Sequence, residues 1–238
     1  MRMTPKVSVI IPAYNAVRTL RATLASIRVQ TLKELEIIVV NDGSTDRTGE
    51  IAAEVAREDS RIVVINQSNG GCYRARLAGM KVATGAYIGF VDSDDSVLPE
   101  MYERLWSVAV QKRADVVECG WQFCGSNTPI ESKERLSLFG KEQVVDGYVW
   151  PVLLNVGQSA YVWNKIYRRQ GHDFSQWIDG DFGSYEDLIH NLQLFKTVRS
   201  YVRLSDELYL YSPNDGSVTR NFSIRALERF ENARIAKE

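Results

Sequence analysis

The chain has 238 residues, 45% hydrophobic and 25% charged, with a formal net charge of −1. This composition is that of a globular domain and excludes disordered and fibrous classes. A balanced charge gives no general attraction to nucleic acid, so no such partner is expected, and the longest apolar runs, such as Val7 to Ala13, fall far short of the roughly 20 residues that cross a bilayer.

Val7 to Ile11 is an unalternating β-branched run closed by Pro12, the pattern of a strand covered on both faces. Apolar residues then recur at Val17, Leu20, Leu24 and Ile27, which predicts a helix over Val17 to Gln30. The pair repeats, with a strand at Leu35 to Val40, turn residues Asn41 to Ser44 and a helix over Asp46 to Glu58. A third strand is predicted at Ile62 to Ile65, a helix over Cys72 to Ala83, and a fourth strand at Ala86 to Val91 that runs into Asp92-Ser93-Asp94-Asp95. After Pro99 an amphipathic helix reaches Arg113, and a strand follows at Val116 and Val117.

This alternation predicts an α/β fold, Rossmann-like, with a mostly parallel sheet flanked by helices and right-handed crossovers. Ligands of such sheets bind beyond the carboxyl ends of the strands, where three polar loops fall: Ala13 to Ala16, Asn41 to Asp46 and Asp92 to Ser96. Beyond Gly120 the alternation fails. A helix over Ser184 to Thr197, a strand around Glu207 to Tyr211 and an apolar stripe at Ile224, Leu227 and Phe230 are the elements legible there, with Trp121, Trp150, Trp163 and Trp177 widely spaced. The expected organisation is one compact domain with two functional halves, 1–96 and 97–238.

The most informative segment is Asp92-Ser93-Asp94-Asp95. Carboxylates crowded at a strand end repel one another unless a cation or hydrogen-bond donors compensate. Mg2+ and Mn2+ take oxygen ligands and share phosphate oxygens, so a few carboxylates beside a diphosphate suffice. A solvated acidic turn with Asp95 or Ser96 capping the next helix is the competing explanation. Asn41-Asp42-Gly43-Ser44 is by itself a turn, although Asp42 could accept a hydrogen bond from a base or sugar in the shared crevice. No Gly-x-Gly-x-x-Gly follows the first strand and no Gly-x-x-x-x-Gly-Lys-Ser/Thr occurs, so dehydrogenase and NTPase readings fall away. Cys72, Cys119 and Cys124 are expected as buried free thiols, and His172 and His190 as structural. The N-terminus carries no signal-peptide core, so a cytoplasmic location is expected.

Val7-Ser8-Val9-Ile10-Ile11-Pro12-Ala13-Tyr14-Asn15, Asn41-Asp42-Gly43-Ser44-Thr45-Asp46, Asn69-x-Gly71, Ala75-Arg76, Gly85 to Phe90 and Asp92-Ser93-Asp94-Asp95 closely resemble family 2 glycosyltransferases in order and spacing. The resemblance covers about the first hundred residues and continues more loosely through Trp163-Asn164-Lys165-Ile166-Tyr167 and Glu186-Asp187, as in enzymes that build surface polysaccharides. It implies the GT-A fold, a nucleotide diphosphate-sugar donor with UDP-sugar foremost, inversion at the anomeric carbon, and a saccharide or lipid-linked saccharide acceptor. By motif position Pro12, Ala13, Tyr14 and Asp42 border the base, and Asn69, Arg76, Asp92 and Ser93 belong to the donor site. Asp94, with Asp92, holds a divalent cation, Mn2+ or Mg2+. Asp187 is the base, with Glu186 beside it. Trp163 and Lys165 fall on the acceptor side. Leu77 stands where the family usually has Asn, which leaves a polar role there without support. Two other readings are retained, a catalytically silent sugar-nucleotide binding module and a nucleotidyltransferase. Peripheral attachment at the inner face of the cell membrane would fit the Ile224, Leu227, Phe230 stripe and its neighbouring arginines.

Overall fold

The computed structural model describes residues 4–126, 134–153, 160–171 and 186–213. Strands β1 (Val7–Ala13), β2 (Leu35–Asp42), β3 (Ile62–Gln67) and β4 (Tyr87–Phe90) alternate with helices α1 (Leu20–Arg28), α2 (Thr48–Glu58) and α3 (Cys72–Val82). β1 pairs in parallel with both β2 and β4, and β2 with β3. The chain therefore winds outward from β1 to β3 and returns to lay β4 on the other side of β1. The carboxyl ends of β1 and β4 form a topological switch point, where open α/β sheets bind ligands.

Unalternating strands follow from burial on both faces. Val7, Val9 and Ile11 enter one core with Leu20, Leu24 and Ile27 of α1. Ile10, Ile38 and Val40 enter a second core with Tyr73, Leu77 and Met80 of α3. Successive side chains of a strand point to opposite faces, so a strand sandwiched between helix layers needs apolar residues at every position. Leu77 is thus a core residue, and its apolar side chain is explained by packing.

The later part holds β5 (Ser96–Val97), α4 (Met101–Lys112), β6 (Val116–Phe123) and β7 (Glu134–Phe139). Short helix α5 (Lys141–Val144) runs through a π-helical turn at Val145–Val149 into α6 (Trp150–Leu153), and β8 (Lys165–Arg168), α7 (Glu186–Phe195) and β9 (Ser200–Tyr211) follow. β8 is antiparallel to β4 and β6, β6 is parallel to β9, and β5 and β7 are antiparallel to β9. Among the described residues one nine-stranded sheet results, in the order β3-β2-β1-β4-β8-β6-β9-β5 with β7 on β9. The predicted α/β architecture is present, parallel in its first half and mixed in its second.

Several boundaries move for identifiable reasons. Helix α1 begins at Leu20 rather than Val17, because the Ala16 and Val17 amides donate to Thr48 Oγ1 and Asp46 Oδ2 across the crevice. β6 extends to Phe123 and β9 starts at Ser200. Cys119 is buried as expected, whereas Cys72 is partly exposed and Cys124 exposed, and all three are free. His190 is buried between the rings of Tyr73 and Phe90, at 4.8 and 5.5 Å, a packing role as predicted. His172, Trp177, the Ser184 start of the last predicted helix and the Ser223 to Lys237 stripe lie outside the described residues. No described helix is long and apolar enough to cross a membrane.

Candidate active site

The three predicted loops meet at the switch point and are laced together by side-chain to backbone bonds. Asn15, at φ +49°, donates its amide to Ser44 Oγ, and its Oδ1 accepts from the Thr45 amide. Thr23 of α1 donates to the Ser93 carbonyl at 3.0 Å, which fixes the Asp92 loop to the helix after β1. A cleft of about 280 Å3 opens between these loops, lined by Tyr14 to Thr19, Ser93 and Asp94. Pro12 and Ala13 lie buried at its strand end, while Tyr14 is exposed at its mouth.

Asp42 is buried and saturated: its carboxylate accepts from Gln67 Nε2 at 2.7 Å and from the Gly70 and Gly71 amides at 2.9 and 2.8 Å. It shapes the loop that precedes α3, on which Asn69 is exposed. Gly43 makes this close approach possible. Its φ is +69°, and a Cβ there would lie 2.5 Å from the Asn69 backbone nitrogen, which no L side chain tolerates.

Within the Asp92 loop the three carboxylates face different ways. Asp95 turns inward, accepting from Tyr209 Oη at 2.6 Å and the Ser212 amide at 2.8 Å. Burial and the Asp92 charge push its pKa up to about 7. The same two causes push Asp94 up to about 6. Carboxylates raised in this way are short of positive charge, which suits a divalent cation at Asp94 and Asp92. No group of three or more His, Cys, Asp or Glu side chains in metal-holding geometry occurs among the described residues. A cation here would therefore draw its remaining ligands from the phosphates of a donor and from water.

Arg76 lies deeper. It is 2% exposed on α3, and its Nη2 reaches Asp92 Oδ1 at 2.9 Å while its Nη1 reaches Asp187 Oδ1 at 2.6 Å. Glu186 Oε1 is 3.8 Å from the same Nη1, and Glu186 Oε2 accepts from the Tyr73 amide at the start of α3. Glu186 and Asp187 open α7, so this one guanidinium ties the end of β4 to the start of a helix about a hundred residues further on. Burial raises the pKa of both acids, and Arg76 opposes the rise.

Two residues expected on the acceptor side occupy other places. Lys165 is fully buried, with its ammonium 2.8 Å from Glu118 and 2.5 Å from the Tyr161 carbonyl. It is sealed inside the sheet and cannot touch an acceptor. Trp163 is also buried, stacked between Tyr161 at 4.6 Å and Tyr209 at 4.2 Å. The sequence carried a signal for Lys165 and Arg76. Each is a charge set within an apolar pattern, Arg76 on the Tyr73, Leu77, Met80 stripe and Lys165 in the Val162 to Tyr167 run, and such charges are buried with partners.

The fold sets acidic residues at its switch point, where open α/β sheets bind their ligands. The signature of glycosyl transferase family 2 matches residues 8–179. The chain belongs to this family. It is 36% identical over 229 residues to the uncharacterized glycosyltransferase EpsJ of Bacillus subtilis, covering 91% of this chain and 64% of the relative. The chain thus spans a little under two thirds of that relative's length. Among solved structures, S. aureus TarS 1-349 in complex with UDP-GlcNAc superposes with a TM-score of 0.77 at 23% identity, over 97% of this chain and 65% of that one. The mannosyltransferase PcManGT of Pyrobaculum calidifontis, in complex with GDP-Man and Mn2+, does so with a TM-score of 0.66 at 14% identity, over 99% and 65%. These likenesses establish the GT-A fold.

Proposed function

We propose that this chain is the catalytic part of an inverting glycosyltransferase that moves a hexosyl or N-acetylhexosaminyl group from a UDP-sugar to a saccharide or lipid-linked saccharide during surface polysaccharide synthesis. The carrying observation is the Arg76 bridge, which holds Asp92 of the donor loop and Asp187 of α7 on one guanidinium. Residues 1–96 supply the donor half of the site and residues 97–238 the acceptor half.

Each residue has a part in this reading. Pro12, Ala13 and Tyr14 border the base, with Asp42 holding the Asn69 loop against the nucleotide. Asp94 and Asp92 would hold Mn2+ or Mg2+, and when bound that ion supplies positive charge to the diphosphate leaving group. Asp187 faces the donor from the acceptor side and removes the proton of the attacking hydroxyl, so that the new bond forms opposite the departing diphosphate. A carboxyl raised by burial is the better base for this step, because its pKa is brought closer to the working pH. Glu186 bonds the α3 amide and sets the direction of α7.

Support for a nucleotide-sugar donor comes from the family and from the UDP-GlcNAc and GDP-Man named with the superposed structures. The test is Asp187→Asn. Turnover of the UDP-sugar should fall about 100-fold or more, the usual scale for a general base, with UDP and Mn2+ affinity by calorimetry near wild type. Normal transfer by Asp187→Asn with an inactive Glu186→Gln would move the base to Glu186, and full activity in both would reject the pair.

A further inference from the structure

Six aromatic side chains gather on one side of the site. Trp121 and Phe123 lie two apart on β6 and so share a face, opposite Tyr209 and Tyr211 of the parallel neighbour β9. Tyr161 and Trp163, on the chain leading into β8, complete the group. Tyr209, Trp163 and Tyr161 form a continuous stack, with centroid spacings of 4.2 and 4.6 Å. The stack is graded from floor to surface. Tyr209 is fully buried and bonds Asp95 and the Asp92 amide, Trp163 is buried, and Tyr161 is 37% and Phe123 51% exposed, each meeting Trp121 edge-on. Trp121 braces the stack edge-on, 6.1 Å from Trp163 and 6.4 Å from Tyr161.

Single exposed rings are ordinary on a protein surface, but these two border one contiguous aromatic cluster whose backbone is anchored. The Tyr161 carbonyl accepts from the buried Lys165 ammonium and from Asn191 Nδ2, while its ring rests on Trp163. The same Asn191 amide also donates to the Asp187 carbonyl, at 3.2 Å beside its 3.3 Å bond to Tyr161, so the two residues meet at one side chain. The platform thus runs from the Asp92–Asp95 loop at its base to the neighbourhood of Asp187 at its rim.

We propose that the exposed face of Tyr161, with Phe123 on the other side of Trp121, is a subsite for one pyranose ring of the acceptor. The inference rests on the glycosyl-transfer reading above. Pyranose rings present an apolar face of C–H groups and a rim of hydroxyls. A preorganised ring beside a carboxylate matches both, covering the apolar face and leaving a hydroxyl to the base. Continuity with Asp187 selects a sugar over an acyl chain, which has no group to offer a base. Trp163 and Lys165 act through Tyr161 and are positioning residues.

Saturation-transfer NMR on the full chain tests this, with methyl β-D-glucopyranoside, methyl β-D-galactopyranoside, methyl β-D-mannopyranoside and methyl N-acetyl-β-D-glucosaminide as probes, and octyl β-D-glucopyranoside for comparison. At least one methyl glycoside should show transfer to its ring-face protons, persisting when saturating UDP and Mn2+ occupy the donor site. Tyr161→Ala and Phe123→Ala should each cut that signal at least fivefold, and Tyr161→Phe should keep it. Loss of the signal on adding UDP would assign the sugar to the donor site instead. Transfer confined to the octyl chain would make the face a lipid or protein contact, and a signal equal in wild type and Tyr161→Ala would remove the platform from recognition. UDP binding, measured separately by calorimetry, reports on the donor reading whatever the outcome here.

Discussion

Replacing Arg76 by Met keeps most of the side-chain volume and removes the only charge that the buried position holds. In the folded chain Arg76 is paired with Asp92 and Asp187 and approaches Glu186. Without it three carboxylates face one another across a space from which water is largely excluded. Breaking a buried ion pair on one side costs about 3–5 kcal/mol, equivalent to a fall in Tm of about 6–20 °C for a chain of this size. The pH dependence separates this electrostatic cost from lost packing. Glu186 and Asp187 already have pKa values raised by burial, and without the guanidinium they rise further. A raised acid binds protons in the folded state that the unfolded state releases, so stability falls as pH climbs through the folded pKa and is recovered toward the unfolded value near 4. The gap in Tm between wild type and Arg76→Met, read by calorimetry without nucleotide, should therefore be wide at pH 8 and clearly narrower at pH 5. Arg76→Lys should fall between them, since an ammonium keeps the charge but cannot fork to Asp92 and Asp187 together. An equal gap at both pH values would refute the charge argument and leave Arg76 a packing residue.

Protons should compete with metal at Asp94, whose pKa stands at about 6. Mn2+-dependent UDP affinity by calorimetry should weaken about tenfold from pH 7 to pH 5 as that carboxylate protonates, and Asp94→Ala should abolish both the affinity and its pH dependence. Gly43→Ala forces a Cβ to 2.5 Å from the Asn69 nitrogen at a φ of +69°. A loss of about 1–3 kcal/mol in urea unfolding is expected, with weaker UDP binding because the Asn69 loop is displaced. Lys165→Met strands Glu118, which keeps Arg203 and Tyr201 as partners. Urea unfolding should show a loss approaching the about 3–5 kcal/mol of a broken buried pair, with UDP and Mn2+ affinity unchanged.

The first half was readable in the sequence because its central strands β1, β2 and β4 are largely buried on both faces and each loop has its own turn chemistry. Val7 to Ile11, Leu35 to Val40 and Ala86 to Val91 predict three strands whose carboxyl ends the fold brings together. The later half resists the same reading. β6 runs on past its apolar start through Gly120, Trp121 and Gln122, and its register with β9 shifts at Gly120, so no single period spans it. β8 has four residues, one of them the buried Lys165, and a charge inside a short strand erases the apolar run that would announce it. The resemblance through Trp163 to Tyr167 implies an acceptor role for Trp163 and Lys165 but says nothing of their burial. The sequence does not tell that Tyr161, one turn of chain earlier, covers the one and is anchored by the other.

Charge in this site is divided between two counter-ions of different kinds. Arg76 is covalently part of the fold, always protonated, and serves Asp92 and Asp187. Asp94 and Asp95 are left raised, to about 6 and about 7, and Asp95 is satisfied by Tyr209 and the Ser212 amide. Asp94 lies at the edge of the cleft, where on the proposed reading a cation would arrive with its diphosphate. On the proposed reading, this division would keep the base assembled before the donor binds and would make occupancy of the Asp94 position depend on the donor that brings the remaining ligands. Asp92 touches both parts, since it pairs with Arg76 and raises Asp94 and Asp95. It is the one carboxylate whose removal should disturb metal binding and the position of the base together.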